Sequence, residues 1–228
     1  MMNERVIIAL DFSNKKDALR LVDELDDLVN FYKVGLELFL SEGIEILKIL
    51  KNRGKKVFLD LKFHDIPNTV QKAIRASLSY EVDMLTLHAL GGYEMMKRAR
   101  EVLEKEKSSL KILAVTVLTS LNNENLQEIY ESPINFDSLV KNLAMLANKA
   151  GLHGVVASAK EVALIKEQCG KDFIVVTPGI RFEKFYNDDQ KRTVNPKEAF
   201  HLGADYIVVG RAVTSSKNPA EMVLNMFS

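Results

Sequence analysis

Short runs of β-branched and other apolar residues recur along the chain. Each is followed by a charged stretch in which apolar residues return at three- and four-residue spacing. Eight runs stand out: Val6–Asp11, Phe31–Gly35, Val57–Lys62, Asp83–His88, Ile112–Leu118, Gly154–Ser158, Phe173–Thr177 and Tyr206–Gly210. Gly, Asp, Asn or Pro bounds each of them, so each predicts a strand. The segments Lys15–Leu28, Leu36–Lys51, Val70–Ser79, Tyr93–Lys105, Phe136–Ala150 and Glu161–Gln168 have the spacing of amphipathic helices. Because the strands are nearly continuous in apolar residues, both of their faces are predicted to be buried, as in parallel sheets covered by helices. Eight βα units fit a closed (β/α)8 TIM-type barrel, one α/β domain over residues 1–228. A doubly wound open sheet uses the same alternation and is the runner-up. No low-complexity linker or strict repeat divides the chain. The connections Leu121–Pro133 and Arg181–Pro196 exceed the usual roughly two to six residues of a βα loop and are candidate lids.

Composition narrows the function classes. A chain 47% hydrophobic and 27% charged is not intrinsically disordered. With 31 Lys+Arg against 31 Asp+Glu, no overall basic field exists to draw in nucleic acid, so any anion site must be local. The one cysteine, Cys169, cannot form an intrachain disulfide or a multi-cysteine zinc site, which points to the reducing cytoplasm. No apolar run approaches the roughly 18 residues of a membrane span, and the first residues show no cleavage signal, so neither membrane insertion nor export is expected.

In a barrel of this kind the C-terminal strand ends and the loops after them form the active-site face. The polar residues expected there are Asp11, Lys33, Asp60, Lys62, His64, Asp65, Thr69, His88, Thr119, Ser120, Ser158, Thr177, Arg181 and Arg211. Asp60 and Lys62 are two apart in a strand, so both should share a face, with Lys33 beside them on the neighbouring strand. A structural ion-pair network is the bland reading of that row, but three buried charges together favour function. Gly179-Ile180-Arg181 and Gly210-Arg211 follow strands seven and eight, where barrels frequently bind phosphate. Glycine lets backbone N–H groups approach an oxyanion, and arginine adds a bidentate donor. No dinucleotide fingerprint, Walker loop or zinc-type histidine spacing is present, so neither cofactor nor metal is called for. His88, His153 and His201 are expected as hydrogen-bonded structural residues, and Cys169 as buried or incidental.

These residues resemble the orotidine 5′-monophosphate decarboxylase family. The match lies in Ala9-Leu10-Asp11, Tyr32-Lys33-Val34-Gly35, the run Phe58 to Thr69 with its Asp60-Leu61-Lys62-Phe63-His64-Asp65-Ile66-Pro67-Asn68-Thr69 core, Val117-Leu118-Thr119-Ser120, Thr177-Pro178-Gly179-Ile180-Arg181 with Asp189-Gln190, and Val209-Gly210-Arg211. The resemblance implies cofactor-free conversion of orotidine 5′-monophosphate to UMP and CO2. It implies a catalytic array of Lys33, Asp60, Lys62 and Asp65, with Asp65 and Thr69 reaching across a homodimer interface. Asp11 and Lys33 would hold the ribose, Thr119 or Ser120 and Pro178 the pyrimidine, and Arg181, Gln190, Gly210 and Arg211 the phosphate. Two alternatives stay open at this stage. One is a metal-dependent sugar-phosphate decarboxylase or aldolase of the same superfamily, which carries a metal-binding Glu where this chain has Lys33. The other is a catalytically silent nucleotide-phosphate-binding barrel.

Overall fold

All eight apolar runs form parallel strands. The computed structural model describes residues 2–181 and 193–226. Its strands are β1 (Val6–Ala9), β2 (Phe31–Gly35), β3 (Lys56–Phe63), β4 (Met84–His88), β5 (Lys111–Val115), β6 (Gly154–Val156), β7 (Ile174–Thr177) and β8 (Tyr206–Val209). They pair in chain order and β8 returns to β1, so the sheet closes as a barrel and the open-sheet alternative is excluded.

The helices form the outer layer: α1 (Lys15–Leu25), α2 (Leu36–Glu42), α3 (Ile44–Asn52), α4 (Pro67–Ser77), α5 (Gly92–Glu106), α6 (Asn123–Tyr130), α7 (Phe136–Lys149), α8 (Val162–Cys169), α9 (Pro196–His201), α10 (Arg211–Thr214) and α11 (Pro219–Leu224). Two of the sequence expectations need correction, and two short helices had none. Leu36–Lys51 is two helices, because Gly43 adopts φ +61° and its N–H closes α2 on the Phe39 carbonyl. The connection Leu121–Pro133 contains α6, which Asn122 and Asn125 cap reciprocally. Only Leu126 of that helix is buried, so its apolar signal is short. In the C-terminal quarter, α9 and α11 each begin with Pro after an Asn cap, a start signal that their six-residue lengths left without visible periodicity.

Alternation along the strands sorts the core into two. Ile7, Ala9, Phe31, Phe58, Met84, Leu113, Val176 and Val208 fill the barrel interior. Their strand neighbours, such as Ile8, Tyr32, Leu59, Leu85, Ile112, Val175 and Val209, face the helices. Closure is tight between β6 and β7, where Gly154 pairs with Ile174. A Cβ on Gly154 would lie 2.1 Å from the Ile174 carbonyl oxygen, so only glycine fits.

The N-terminal ends of β4, β6 and β8 share a device. Asp83, His153 and Asp205 directly precede β4, β6 and β8, and each side chain accepts a backbone N–H from the preceding strand: Val57 at 2.8 Å, Ile112 at 3.1 Å and Val175 at 2.7 Å. Lys51 and Lys166 then pair with Asp83 and Asp205 at 2.8 and 2.7 Å. Otherwise unpaired donors at the strand starts are thereby satisfied, which belongs to stability rather than chemistry. His153 keeps its ring uncharged: burial and then the Arg100 charge press its pKa below the usual histidine range. Among the described residues, no helix is long and apolar enough to cross a membrane.

Candidate active site

The opposite, C-terminal end of the barrel carries the residues expected to form the site. Lys33 on β2 and Asp60 on β3 are inward-facing positions directly above the interior layer that contains Phe31 and Phe58. Asp11 lies just past β1. Lys33 Nζ stands 2.9 Å from Asp11 Oδ1 and 3.6 Å from Asp60 Oδ2, while Lys62 Nζ donates to Asp60 Oδ2 at 2.8 Å. Charges therefore alternate along one wall as Asp11, Lys33, Asp60, Lys62. Gly35 leaves room for this row, since a Cβ there would sit 2.9 Å from Lys33 Nζ.

Simple strand alternation is not what brings Lys62 to Asp60. The β3–β4 register shifts between Leu59 and Phe63, and Lys62 has φ +52°, a left-handed backbone that costs a non-glycine residue about 1–3 kcal/mol. Thr86 on β4 supports it by accepting the Lys62 backbone N–H at 2.9 Å and donating its hydroxyl to Asp60 Oδ1 at 2.8 Å. Burial is the largest single influence on Asp60 and would raise its pKa. The charges of Lys33 and Lys62, with hydrogen bonds from Lys62 and Thr86, outweigh it and hold the carboxyl below the ordinary carboxylate range. Asp60 is thus a carboxylate at neutral pH.

A cavity of about 430 Å3 opens over this wall. Its other sides differ in character. Val115, Val117, Val156 and Pro178 make an apolar face, Thr119 and Ser120 add hydroxyls beside it, and Gly179, Arg181, Gly210 and Arg211 close the end near β7 and β8. Gly179 has φ +77°, which favours glycine, and the backbone pairing of Ile180 with Val194 anchors the chain there. Arg181 is buried, with Nη1 donating to the Ile180 carbonyl at 2.9 Å. The arrangement suits a ligand that is uncharged on one side, charged where it meets Lys62, and anionic at the arginine end. A wider hollow of about 890 Å3 lies at the other end of the barrel among the strand starts, including Lys56, Met84, Lys111 and Tyr206.

Of the residues expected from sequence, Asp11, Lys33, Asp60, Lys62, Thr119, Ser120, Pro178, Arg181, Gly210 and Arg211 line the one cavity. Asp65 and Thr69 do not. Both are exposed on the outer rim, where Asp65 accepts the Ile66 N–H at 2.6 Å. Gln190 lies outside the described residues. Sequence reasoning missed Thr86, whose only signal was its place on an inward strand position two residues before His88. His88 also departs from its expectation. Its ring stacks on His64 at 5.3 Å, and its buried Nδ1 has no hydrogen-bond partner among the described residues. Burial, then His64 and Lys62, lower its pKa, so the ring is neutral at neutral pH.

A closed (β/α)8 barrel with a charged pocket at its C-terminal mouth defines a class, the barrel enzymes whose chemistry resides on the βα loops. Within that class the comparisons are specific. A sequence model of the orotidine 5′-phosphate decarboxylase / HUMPS family matches residues 4–226. The orotidine 5′-phosphate decarboxylase of Carboxydothermus hydrogenoformans is 52% identical over 221 residues, covering 95% of this chain and 92% of its own. The crystal structure of orotidine 5′-phosphate decarboxylase from Lactobacillus acidophilus superimposes with a TM-score of 0.86 at 37% identity, covering 98% of this chain and 97% of that one. An uncharacterized conserved protein from Geobacillus kaustophilus gives a TM-score of 0.84 at 38% identity, covering 97% and 98%. The chain belongs to the orotidine 5′-phosphate decarboxylase / HUMPS family.

Proposed function

We propose that this protein decarboxylates orotidine 5′-monophosphate to UMP and CO2, without a cofactor, as the last step of pyrimidine nucleotide synthesis in the cytoplasm. The observation that carries the reading is the alternating row Asp11, Lys33, Asp60, Lys62 along one wall of the cavity, in a chain whose relatives carry the decarboxylase name. In the reaction the bond from carbon 6 of the pyrimidine to its carboxylate breaks and CO2 leaves. The electron pair stays on carbon 6, where no neighbouring carbonyl can spread it. The Lys62 ammonium stabilises that charge and then delivers its proton to carbon 6, so one group serves as electrostatic stabiliser and general acid. Asp60 holds Lys62 in place and repels the substrate carboxylate; the first role has the 2.8 Å contact behind it.

The rest of the pocket supplies orientation. Asp11 and Lys33 reach the ribose hydroxyls, the apolar face with Thr119 or Ser120 and Pro178 receives the pyrimidine, and Arg181, Gly210 and Arg211, with Gln190, take the phosphate. Enzymes lower barriers by about 8–23 kcal/mol, and a single ammonium does not supply the top of that range. Binding energy from the phosphate, remote from the reacting carbon, supplies part of the remainder by holding the substrate against the charged row. The catalytic unit in this reading is a homodimer of one-domain subunits, with Asp65 and Thr69 completing the site of the partner. Two features support it. Asp65 and Thr69 are exposed and do not line their own cavity, and Leu40, Ile66 and Leu90, each on the segment that follows β2, β3 or β4, are apolar yet 80%, 66% and 45% exposed.

The decisive test is the ultraviolet absorbance of orotidine 5′-monophosphate with the purified protein, with and without EDTA. The expected result is rapid conversion to UMP that the chelator leaves unchanged, and its loss in Lys62→Ala, which still binds UMP. No conversion would instead favour the silent barrel, and conversion abolished by EDTA the metal-dependent alternative.

A further inference from the structure

We propose that Thr86 is a positioning residue of this site: its hydroxyl sets the backbone of Lys62 and the carboxylate of Asp60 in the arrangement that aligns the charged row. The chemistry rests on the decarboxylase reading, whereas the structural part rests on hydrogen-bond geometry alone. Thr86 is fully buried on β4 and does not line the cavity, so it acts through its neighbours rather than on a ligand.

A hydroxyl has one proton and two lone pairs, and Thr86 uses both kinds of site at once. It donates to Asp60 Oδ1 at 2.8 Å and accepts from the Lys62 N–H at 2.9 Å. The first bond fixes the rotation of the carboxylate. With Oδ1 turned to β4, Oδ2 faces Lys62 Nζ at 2.8 Å and Lys33 Nζ at 3.6 Å. The second bond falls where the β3–β4 ladder is interrupted, so a side chain takes the N–H that a regular ladder would have paired. That N–H belongs to the residue with φ +52°. A left-handed lysine persists only where its surroundings hold it, and the Thr86 hydroxyl is the group that holds this one.

Valine has the shape of threonine without the hydroxyl, so Thr86→Val removes both bonds while the core stays filled. Displacing reacting groups by about 1 Å costs on the order of 100-fold in rate, so kcat should fall by about that factor. KM and the affinity for UMP should stay within about threefold, because the phosphate and ribose contacts are untouched. Thr86→Ser keeps the hydroxyl and should recover kcat to within about fivefold of wild type. A Thr86→Val enzyme with wild-type kcat, or a Thr86→Ser enzyme as slow as Thr86→Val, would overturn the proposal. If Thr86→Val fails to fold, Thr86→Ala removes the same hydroxyl without placing a methyl beside Asp60, with the same expectation and the same refutation. If the wild-type protein does not convert orotidine 5′-monophosphate, the decarboxylase reading fails by itself. The positioning claim is then decided by a crystal structure of the hydroxyl-free variant: release of the positive φ of Lys62, with loss of its contact to Asp60, supports it, and an unchanged Lys62 and Asp60 refute it.

Discussion

Asp60→Asn is the perturbation whose consequence the geometry lets us work through. The amide keeps an acceptor for Thr86 but loses the charge that faces two ammonium groups at 2.8 and 3.6 Å. The two lysines are affected unequally. Lys33 retains Asp11 at 2.9 Å, whereas the salt bridge from Lys62 to Asp60 is broken outright. At 2.8 Å and an effective dielectric near 20, the gross attraction lost is about 6 kcal/mol, most of it offset by the desolvation that the pair already suffers. Breaking a fully buried pair costs about 3–5 kcal/mol. The Lys62 side chain is 32% exposed, so water recovers part of this and the net loss should be about 2–3 kcal/mol. For a chain of this size that is roughly 4–12 °C in Tm.

Urea unfolding of wild type and Asp60→Asn across pH supplies the assay. The folded pKa of Asp60 lies below the ordinary aspartate value, so its contribution is fully present well above that value and is lost as pH falls through the folded one. The deficit of the variant should therefore be constant from neutral pH down to about 5 and should narrow only below it. A variant as stable as wild type at pH 7 would refute the reasoning. So would a deficit that changes near pH 6, which would assign the effect to a histidine instead.

Two further outcomes test the assembly and the barrel closure. Mixing Lys62→Ala with Asp65→Ala subunits should restore activity to roughly a quarter of the wild-type sites, because half of randomly formed dimers are hybrids and each hybrid has one intact site; no recovery despite exchange shown by mass spectrometry would count against a shared site. Gly154→Ala should lose at least about 3 kcal/mol by thermal or urea unfolding, because its Cβ would meet the Ile174 backbone at 2.1 Å, and near-wild-type stability would mean that β6 and β7 can separate at little cost.

Much of the molecule was legible in the chain itself. Eight apolar runs with amphipathic segments between them specify parallel strands under helices, because the side-chain periods of 2 and 3.6 leave different marks. The number of units then favours closure. Asp11, Lys33, Asp60, Lys62 and Arg211 could be placed at one rim because every parallel strand of a barrel ends on the same side. Local chemistry was less visible where elements are short: α9, α10 and α11 span too few residues for periodicity to register, and Gly43 divides a continuous amphipathic pattern through its backbone alone.

Contacts between strands were beyond the sequence. Alternation put Asp60 and Lys62 on one face, yet the structure brings them together through a register shift and a left-handed lysine, a conformation that no spacing rule reports. Thr86 looks like an ordinary β-branched strand residue until the barrel closes and sets its hydroxyl between an aspartate and a backbone N–H that lie 26 and 24 residues away. The exposed positions of Asp65 and Thr69 likewise emerge only from the fold. A sequence determines which groups are available and on which face each strand offers them. Which groups come within hydrogen-bond distance depends on register and backbone distortion between strands, and those follow from packing of the whole barrel.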